Sequence, residues 1–415
     1  MKDRYDVVVV GGGPGGTAAA VAASDRGAAV LLVERYGFLG GMATAGLVNP
    51  FMGYYAGARK LTSAVFNELL GRLEKEGAIG ADGVTFDDEI LKIVLDRMMA
   101  DHRVDVLLHS FLEGASCSGG RISGISVTGK SGKRGISAGV FVDSTGDGDL
   151  AAAAGAEVEV GRPQDGACQP MTLCFRIGGI KGADGAELDR GPLRKELTRI
   201  YREAKAGGGI KNPREDVLIF STLVNGVIHF NTTRVVGRSG VDQEDLTEAE
   251  VEGRRQVKEL FDLLRKRDPR FKDAYIVKMG AQIGIRESRR VMGGYVLTEE
   301  DVLGARKFDD GIARSSYPVD IHNPAGTGTV IKDIPAGDFY EIPYRCLVPR
   351  KTSNLLVGSR CISCTHEAHS SLRIMPVVAG IGEAAGAAAA KAAKAGVEPA
   401  AVDGRALKKE ILGSS

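Results

Sequence analysis

Little in this 415-residue chain points to a strongly charged partner, a membrane or a disulfide scaffold. Lysine plus arginine (54) and aspartate plus glutamate (53) leave a formal net charge of +1. Bulk charge therefore gives no reason to expect nucleic acid or an anionic membrane as a partner. No apolar run reaches the length that spans a bilayer. The apolar run at residues 7–10 is too short for a secretory signal. Six cysteines in a chain this long do not make a disulfide framework, and a cytoplasmic location is expected. The tail Gly413-Ser414-Ser415 reads as an appended linker. What the chain has in plenty is glycine: 57 residues, about twice the usual share. That fits a chain whose backbone repeatedly approaches a ligand closely.

The glycines are organised at the start. Tyr5-Asp6-Val7-Val8-Val9-Val10 reads as a buried strand, and Gly11-Gly12-Gly13-Pro14-Gly15-Gly16 follows at once. Gly11, Gly13 and Gly16 carry the pattern G-x-G-x-x-G. An alanine-rich helix over 17–26 and a second strand over 28–33 come next, closed by Glu34. Glycines there permit a tight turn and close approach of backbone to a pyrophosphate. The helix N-terminus offers N–H groups to that anion, and a carboxylate ending the second strand suits the ribose hydroxyls of an adenosine. The same pattern alone would fit NAD or FAD. Three later segments favour FAD. Leu39-Gly40-Gly41-Met42-Ala43-Thr44 supplies a second glycine pair. Val140-Phe141-Val142-Asp143-Ser144-Thr145-Gly146-Asp147 is a strand ending in a small-residue turn. Residues 354–359 read as a strand, and Pro376 opens a glycine- and alanine-rich helix directed at the cofactor. No second G-x-G-x-x-G unit follows, so no dedicated nicotinamide domain is expected. Residues 40–46 contain no histidine for covalent attachment, so FAD is expected to be non-covalent.

These segments resemble those of the FAD-dependent oxidoreductases of the glutathione-reductase-like superfamily. The resemblance is to the subgroup with D-S-T-G-D-G-D-L-A-A in mid-chain and G-x-R-C-I-S-x-T-H-E-A near the end. Here these read from Asp143 to Ala152, and Gly358-Ser359-Arg360-Cys361-Ile362-Ser363-Cys364-Thr365-His366-Glu367-Ala368. A further matching block is Ile285-Arg286-Glu287-Ser288-Arg289-Arg290. The resemblance implies an α/β fold: a Rossmann-type FAD-binding domain, with parallel sheet and β-meander, carrying an inserted α+β substrate domain. Expected boundaries are 1–160 and 339–412 for the cofactor domain and 161–338 for the substrate domain. Within these, helices are expected over 59–76, 86–100 and 246–267, the last capped by Thr247. Residues 104–142 should form the meander and 274–284 a strand. Residues 303–339 should form a long irregular loop of the kind that binds ligands.

The resemblance implies a hydride-transferring enzyme that acts between flavin N5 and a small polar organic substrate, with an electron donor or acceptor left open. An RNA-modifying flavoprotein and a non-catalytic FAD-binding subunit are the alternatives. The oligomeric state is open. An aromatic-ring monooxygenase is disfavoured, because Gly358-Ser359-Arg360-Cys361 stands where that group carries Gly-Asp-Ala. Cofactor contacts are expected from Gly11, Gly13, Pro14, Gly15, Gly16, Glu34 and Arg35, from Gly40, Gly41, Met42 and Thr44, from Thr145, Gly146 and Asp147, and from Arg360, Pro376 and Gly382. His366 is the first candidate for proton transfer and His322, beside Asp320, the second. Arg286 and Arg290, on one expected helix with Arg289, are candidates to hold a substrate carboxylate, and Arg373 to touch cofactor or substrate. Cys361 and Cys364 are expected to be buried and inert. With His366 and His369 they are too cramped for a zinc site, and no metal is expected.

Overall fold

The computed structural model describes residues 2, 4–182 and 190–413; Ser414 and Ser415 of the tail lie outside them. The valine-rich run forms the strand Arg4–Val10, in which Val7, Val8 and Val9 are fully buried. A strand apolar on both faces must be covered on both, as in parallel sheets. Its parallel neighbours are Val30–Val33 and the end of Gly132–Asp143. Asp105–Leu107 extends the sheet on one side and Leu355–Val357 on the other. Val10 is level with Val33 and with Asp143, and Asp143 with Val357. Four strands thus end side by side, and the four loops that follow them share one edge.

Gly132–Asp143 serves two sheets. Its first half pairs antiparallel with Arg121–Gly129, which pairs in turn with Phe111–Ser118. This is the meander, except that Asp105–Leu107 belongs to the parallel sheet. Helices Pro14–Ser24 and Met375–Ala395 are built mostly of small residues and are almost wholly buried. Glu383 of the second reaches across to accept the Val65 N–H at 2.8 Å, at the start of helix Ala64–Lys75. The fold is α/β with a Rossmann-type parallel sheet.

A second core forms around the antiparallel strands Ile219–Ser221, Ile228–Phe230, Phe175–Gly178 and Tyr275–Met279. Helices Arg190–Ala206 and Gln243–Arg267 supply Leu197, Tyr201, Val257 and Leu264 to it. Its buried residues run from Met171 to Ile285, whereas Val291, Leu297 and Val319 pack into the first core. The second unit therefore closes well before the expected boundary at 338. Helix Gln243–Arg267 starts earlier than expected: Asp242 is its cap, accepting from the Glu244 and Asp245 N–H groups, and Thr247 instead donates back to the Gln243 carbonyl. Residues 286–290 are not helical. Arg289–Val291 is a strand paired with Val158–Val160, a partner too remote in sequence for local periodicity to show. The expected loop over 303–339 contains Gly311–Ser315 and the hairpin Val319–His322 with Thr329–Lys332. No single helix among the described residues is long and apolar enough to cross a membrane.

One ion cluster joins the two cores. Arg176 and Lys278 face each other across their strands, an arrangement that repels. Asp88, fully buried at the start of helix Asp88–Asp101, sits with Oδ1 2.6 Å from Arg176 Nη1 and Oδ2 2.5 Å from Lys278 Nζ. Asp88→Asn should cost about 3 kcal/mol, the low end for breaking a buried pair, because Lys278 keeps some access to water. A urea midpoint unchanged from wild type would refute this.

Candidate active site

The four loops at the sheet edge surround a cleft of about 790 Å³. Gly11 has φ +100, and a Cβ there would lie 2.4 Å from the Ser144 carbonyl oxygen. Gly41 has φ +53 and would bring a Cβ within 2.7 Å of Gly13 Cα. Only glycine allows these two loops to nest. Gly11, Gly13, Pro14 and Gly15 line the cleft, as do Gly41 and Met42. Gly16 does not; it packs against the Gly11 carbonyl. Gly40 holds its turn at φ +104, and Thr44 is buried with its hydroxyl donating to the Leu39 carbonyl at 2.8 Å.

Glu34 and Arg35 form the next stretch of wall. Glu34 Oε2 accepts from the Gly12 N–H at 2.6 Å and Oε1 from the Tyr36 N–H at 2.9 Å. A carboxylate has lone pairs for about four partners, so each oxygen can still accept a hydroxyl. Arg35 Nη2 is tied to Gln282 Oε1 at 2.8 Å, which anchors this wall to the second unit. That unit also contributes Val241, Asp242 and Leu246 to the cleft, which Phe111 and Leu112 line as well. Nothing local in the sequence marks this helix start as part of a pocket wall.

Thr145, Gly146 and Asp147 line the cleft from the Asp143 turn. Much of that motif holds itself together. Asp143 is fully buried and accepts from Thr145 N, Thr145 Oγ1 and Ala151 N. Burial pushes its carboxyl up to about 6. Asp147 Oδ1 accepts from Arg360 Nη2 at 2.7 Å and from Ser288 Oγ at 2.6 Å. Arg373, Met375 and Val378 also line the cleft. Met375–Ala395 begins here with Pro376 in its first turn and no side-chain cap, so its leading N–H groups are free for a ligand. Gly382 lies deeper, against Gly15.

One wall donor, Arg360 Nε, is buried without a partner. Together with the glycine cradle and the uncapped helix it fits a long, doubly anionic cofactor. The family model described as FAD dependent oxidoreductase matches residues 6–411. The chain belongs to that family. FAD is its cofactor, and it is an FAD-dependent oxidoreductase. No curated protein matches the chain. Similar solved structures include a geranylgeranyl bacteriochlorophyll reductase-like protein from Thermoplasma acidophilum, at 13% identity and TM-score 0.46 over 95% of this chain and 80% of that one. A flavin-dependent brominase matches at 12% and 0.49 over 98% and 82%. A myxobacterial chondrochloren halogenase matches at 14% and 0.47 over 99% and 78%. Likeness at this level carries nothing about substrate.

The FAD side gives a direct expectation. Glu34→Ala removes a charge-assisted acceptor that organises the Gly12 and Tyr36 backbone in the wall of the cleft. It should weaken FAD binding by about 1–3 kcal/mol, read by fluorescence as FAD dissociates. An unchanged dissociation constant would remove Glu34 from the site.

The candidates for chemistry separate into two groups. His366, the first residue of helix His366–Leu372, is buried with Nδ1 2.9 Å from Glu287 Oε1. Glu287 also takes Arg290 Nη1 at 2.8 Å and the Gln169 N–H at 3.0 Å. Arg290 continues to the carbonyls of Cys364 and Gly161. None of His366, Glu287 and Arg290 lines the cleft. They tie three chain segments together in the interior around Glu287, which is far from His366 in sequence, so the expected catalytic His366 and Arg290 stand outside the lining of the cleft. Arg289 pairs with Asp149 at 2.9 Å. His369 is buried, and burial holds it well below its usual range. Cys361 contacts Ser359 Oγ and Cys364 donates to the Ile362 carbonyl. Burial raises both thiols, Cys364 to about 12, against thiolate chemistry.

The second group meets the cleft through Arg373. Arg373 Nη2 donates to the Asp320 carbonyl at 3.3 Å and to Oδ2 at 3.4 Å. Tyr317 donates to the same oxygen at 3.0 Å, and His322 Nε2 lies 3.7 Å from it. His322 Nδ1 accepts from Arg234 Nη2 at 3.1 Å. An arginine cannot accept, so that nitrogen carries the lone pair and the proton sits on Nε2. The imidazole is therefore neutral; burial, and after it the Arg286 charge, push it down to about 3. The Asp320–His322 pairing does not charge the ring, contrary to one use expected of it. Burial works to raise the Asp320 carboxyl, but the His322 hydrogen bond and the Arg373 charge hold it below the usual carboxylate range. Arg234, fully buried, also donates to the Gly326 and Gly328 carbonyls and so clasps the hairpin that carries Asp320. It was missed, although a lone arginine before Val235-Val236 is a charge in a buried run. Arg286 bonds to the Pro170 carbonyl and to Thr172 Oγ1, and burial, then Arg373, lowers it to about 9.

Proposed function

We propose that this oxidoreductase moves a hydride equivalent between a small polar organic substrate and flavin N5, at the end of the cleft marked by Arg373. The observation that carries the reading is that Arg373 lines the cofactor cleft while bonding to Asp320. It is thus the link between the cofactor and a group able to move a proton. FAD, held without a covalent bond, supplies the hydride acceptor or donor at N5. Asp320, ionised at neutral pH, takes the proton from a substrate O–H or N–H as the hydride departs. Tyr317 keeps its proton, since burial and the Asp320 charge push it up to about 12. It orients the Asp320 carboxylate. Arg373 holds the substrate beside it. The resemblance of the mid-chain and C-terminal motifs to the glutathione-reductase-like subgroup supports the same chemistry, and the absence of Gly-Asp-Ala at Gly358-Ser359-Arg360 weighs against an aromatic-ring monooxygenase.

Anaerobic mixing of the FAD-loaded protein with a panel of hydroxy acids, sugars and amines tests this. At least one should bleach the oxidised flavin absorbance, or an enoate should restore it in the reduced protein. A panel in which nothing exchanges electrons in either direction would sink the reading.

A further inference from the structure

The cluster behind Arg373 holds more positive charge than its own carboxylates balance. Arg234 is met by Glu215 at 3.3 Å and Arg214 by Asp216 at 3.3 Å. Arg286 has only neutral acceptors, the Pro170 carbonyl and Thr172 Oγ1, and among the described residues no carboxylate pairs with it. Arg373 shares Asp320 with Tyr317 and His322. One carboxylate thus faces two guanidiniums that nothing else neutralises. Unbalanced charge of this kind is costly away from bulk water unless a ligand supplies the counter-charge.

The hydrogen-bond donors show the same excess. Gln169 is 2% exposed, and its Nε2 has no partner. Its orientation is settled, because Oε1 accepts from the His322 N–H at 3.3 Å. Gln169 adjoins Pro170, whose carbonyl accepts from Arg286, so the segment that carries the amide also holds the Arg286 guanidinium. Arg373 Nε is likewise buried and unpartnered. Two planar guanidiniums and an amide N–H₂ match the two in-plane oxygens of a carboxylate.

We propose that Arg286, Arg373 and Gln169 form a carboxylate site, so that the substrate is an organic acid held by its carboxylate with its reacting carbon toward the cofactor cleft. This rests on the hydride-transfer reading and names its substrate class. Asp320 is left for the substrate proton, and Arg234 acts only by positioning the hairpin.

The test is binding without turnover. FAD-loaded protein is titrated with propionate, succinate and benzoate, each against its own amide, and with inorganic phosphate, following the perturbation of the flavin spectrum and the heat of binding. At least one acid should bind tenfold or more tightly than its amide, and more tightly than phosphate. Arg286→Gln should weaken that acid at least tenfold with FAD content unchanged, and Arg286→Lys should restore part of the loss. If Arg286→Gln does not retain FAD, Gln169→Leu, which removes the unpartnered amide donor outside the cleft lining, carries the same comparison. Acids that bind no better than their amides, phosphate that binds more tightly, or a variant with unchanged affinity would overturn the site. The two proposals fail separately. Selective acid binding with no electron exchange across the panel sinks hydride transfer alone. Flavin bleaching by a neutral sugar or amine, with no acid preference, sinks the carboxylate site alone.

Discussion

Gly382→Ala should yield protein that neither retains FAD nor survives mild denaturant. A Cβ on Gly382 would lie 2.0 Å from the Gly15 carbonyl oxygen and 2.6 Å from Gly15 Cα. Both are backbone atoms, so no side chain can rotate to make room. Helices Pro14–Ser24 and Met375–Ala395 would have to separate, and Gly15 would carry the cofactor loop with it. Overpacking a core costs about 1–3 kcal/mol where side chains can adjust, and more where they cannot. Set against a total of about 5–15 kcal/mol for a typical domain, a backbone collision is decisive. Gly71→Ala is the matched control, because a Cβ there meets nothing within 4 Å. In a helix interior it should be neutral or stabilise by up to about 1 kcal/mol. FAD content after purification and the urea midpoint of both variants check the pair. A yellow Gly382→Ala protein with an unchanged midpoint would contradict the helix contact.

Asp320→Asn should slow substrate-driven flavin reduction by about 10²–10⁴-fold, the range for loss of a positioned proton acceptor. FAD content should stay near wild type, because Asp320 reaches the cofactor wall only through Arg373. His366→Ala should show the opposite division. It leaves Glu287 with Arg290 but opens a buried hydrogen bond, so the denaturation midpoint should fall while the reduction rate per bound FAD changes little. Stopped-flow traces of the two variants, with FAD content measured on the same samples, separate these outcomes. A slow His366→Ala and a fast Asp320→Asn would return the proton to the histidine.

The two residues also show what the sequence does and does not disclose. The cofactor loops are legible because Gly11, Gly13 and Glu34 lie at recognisable spacing within one strand–helix–strand unit, even though the Gly11 turn also packs against the distant Ser144. The reacting end depends on contacts far apart in the chain. Asp320 lies in a four-residue strand whose partner, Thr329–Lys332, is exposed along its whole length. With no buried face on the partner, no alternation marks the hairpin. His366 opens a helix just ahead of Met375–Ala395, but its environment is set by Glu287, which local spacing cannot reveal. Arg286, expected on a helix, lies in irregular chain, and its partners Pro170 and Thr172 are more than a hundred residues away in sequence.

A crystal structure of the FAD-loaded protein tests the placement of the reacting centre most directly. The adenosine should lie against Glu34, with the flavin ring at the Arg373 and Met375 end and Asp320 within direct or one-water reach of a ligand stacked on it. A ring that instead faces His366 and Arg290, with Arg373 and Asp320 beyond that reach, would contradict the proposed site.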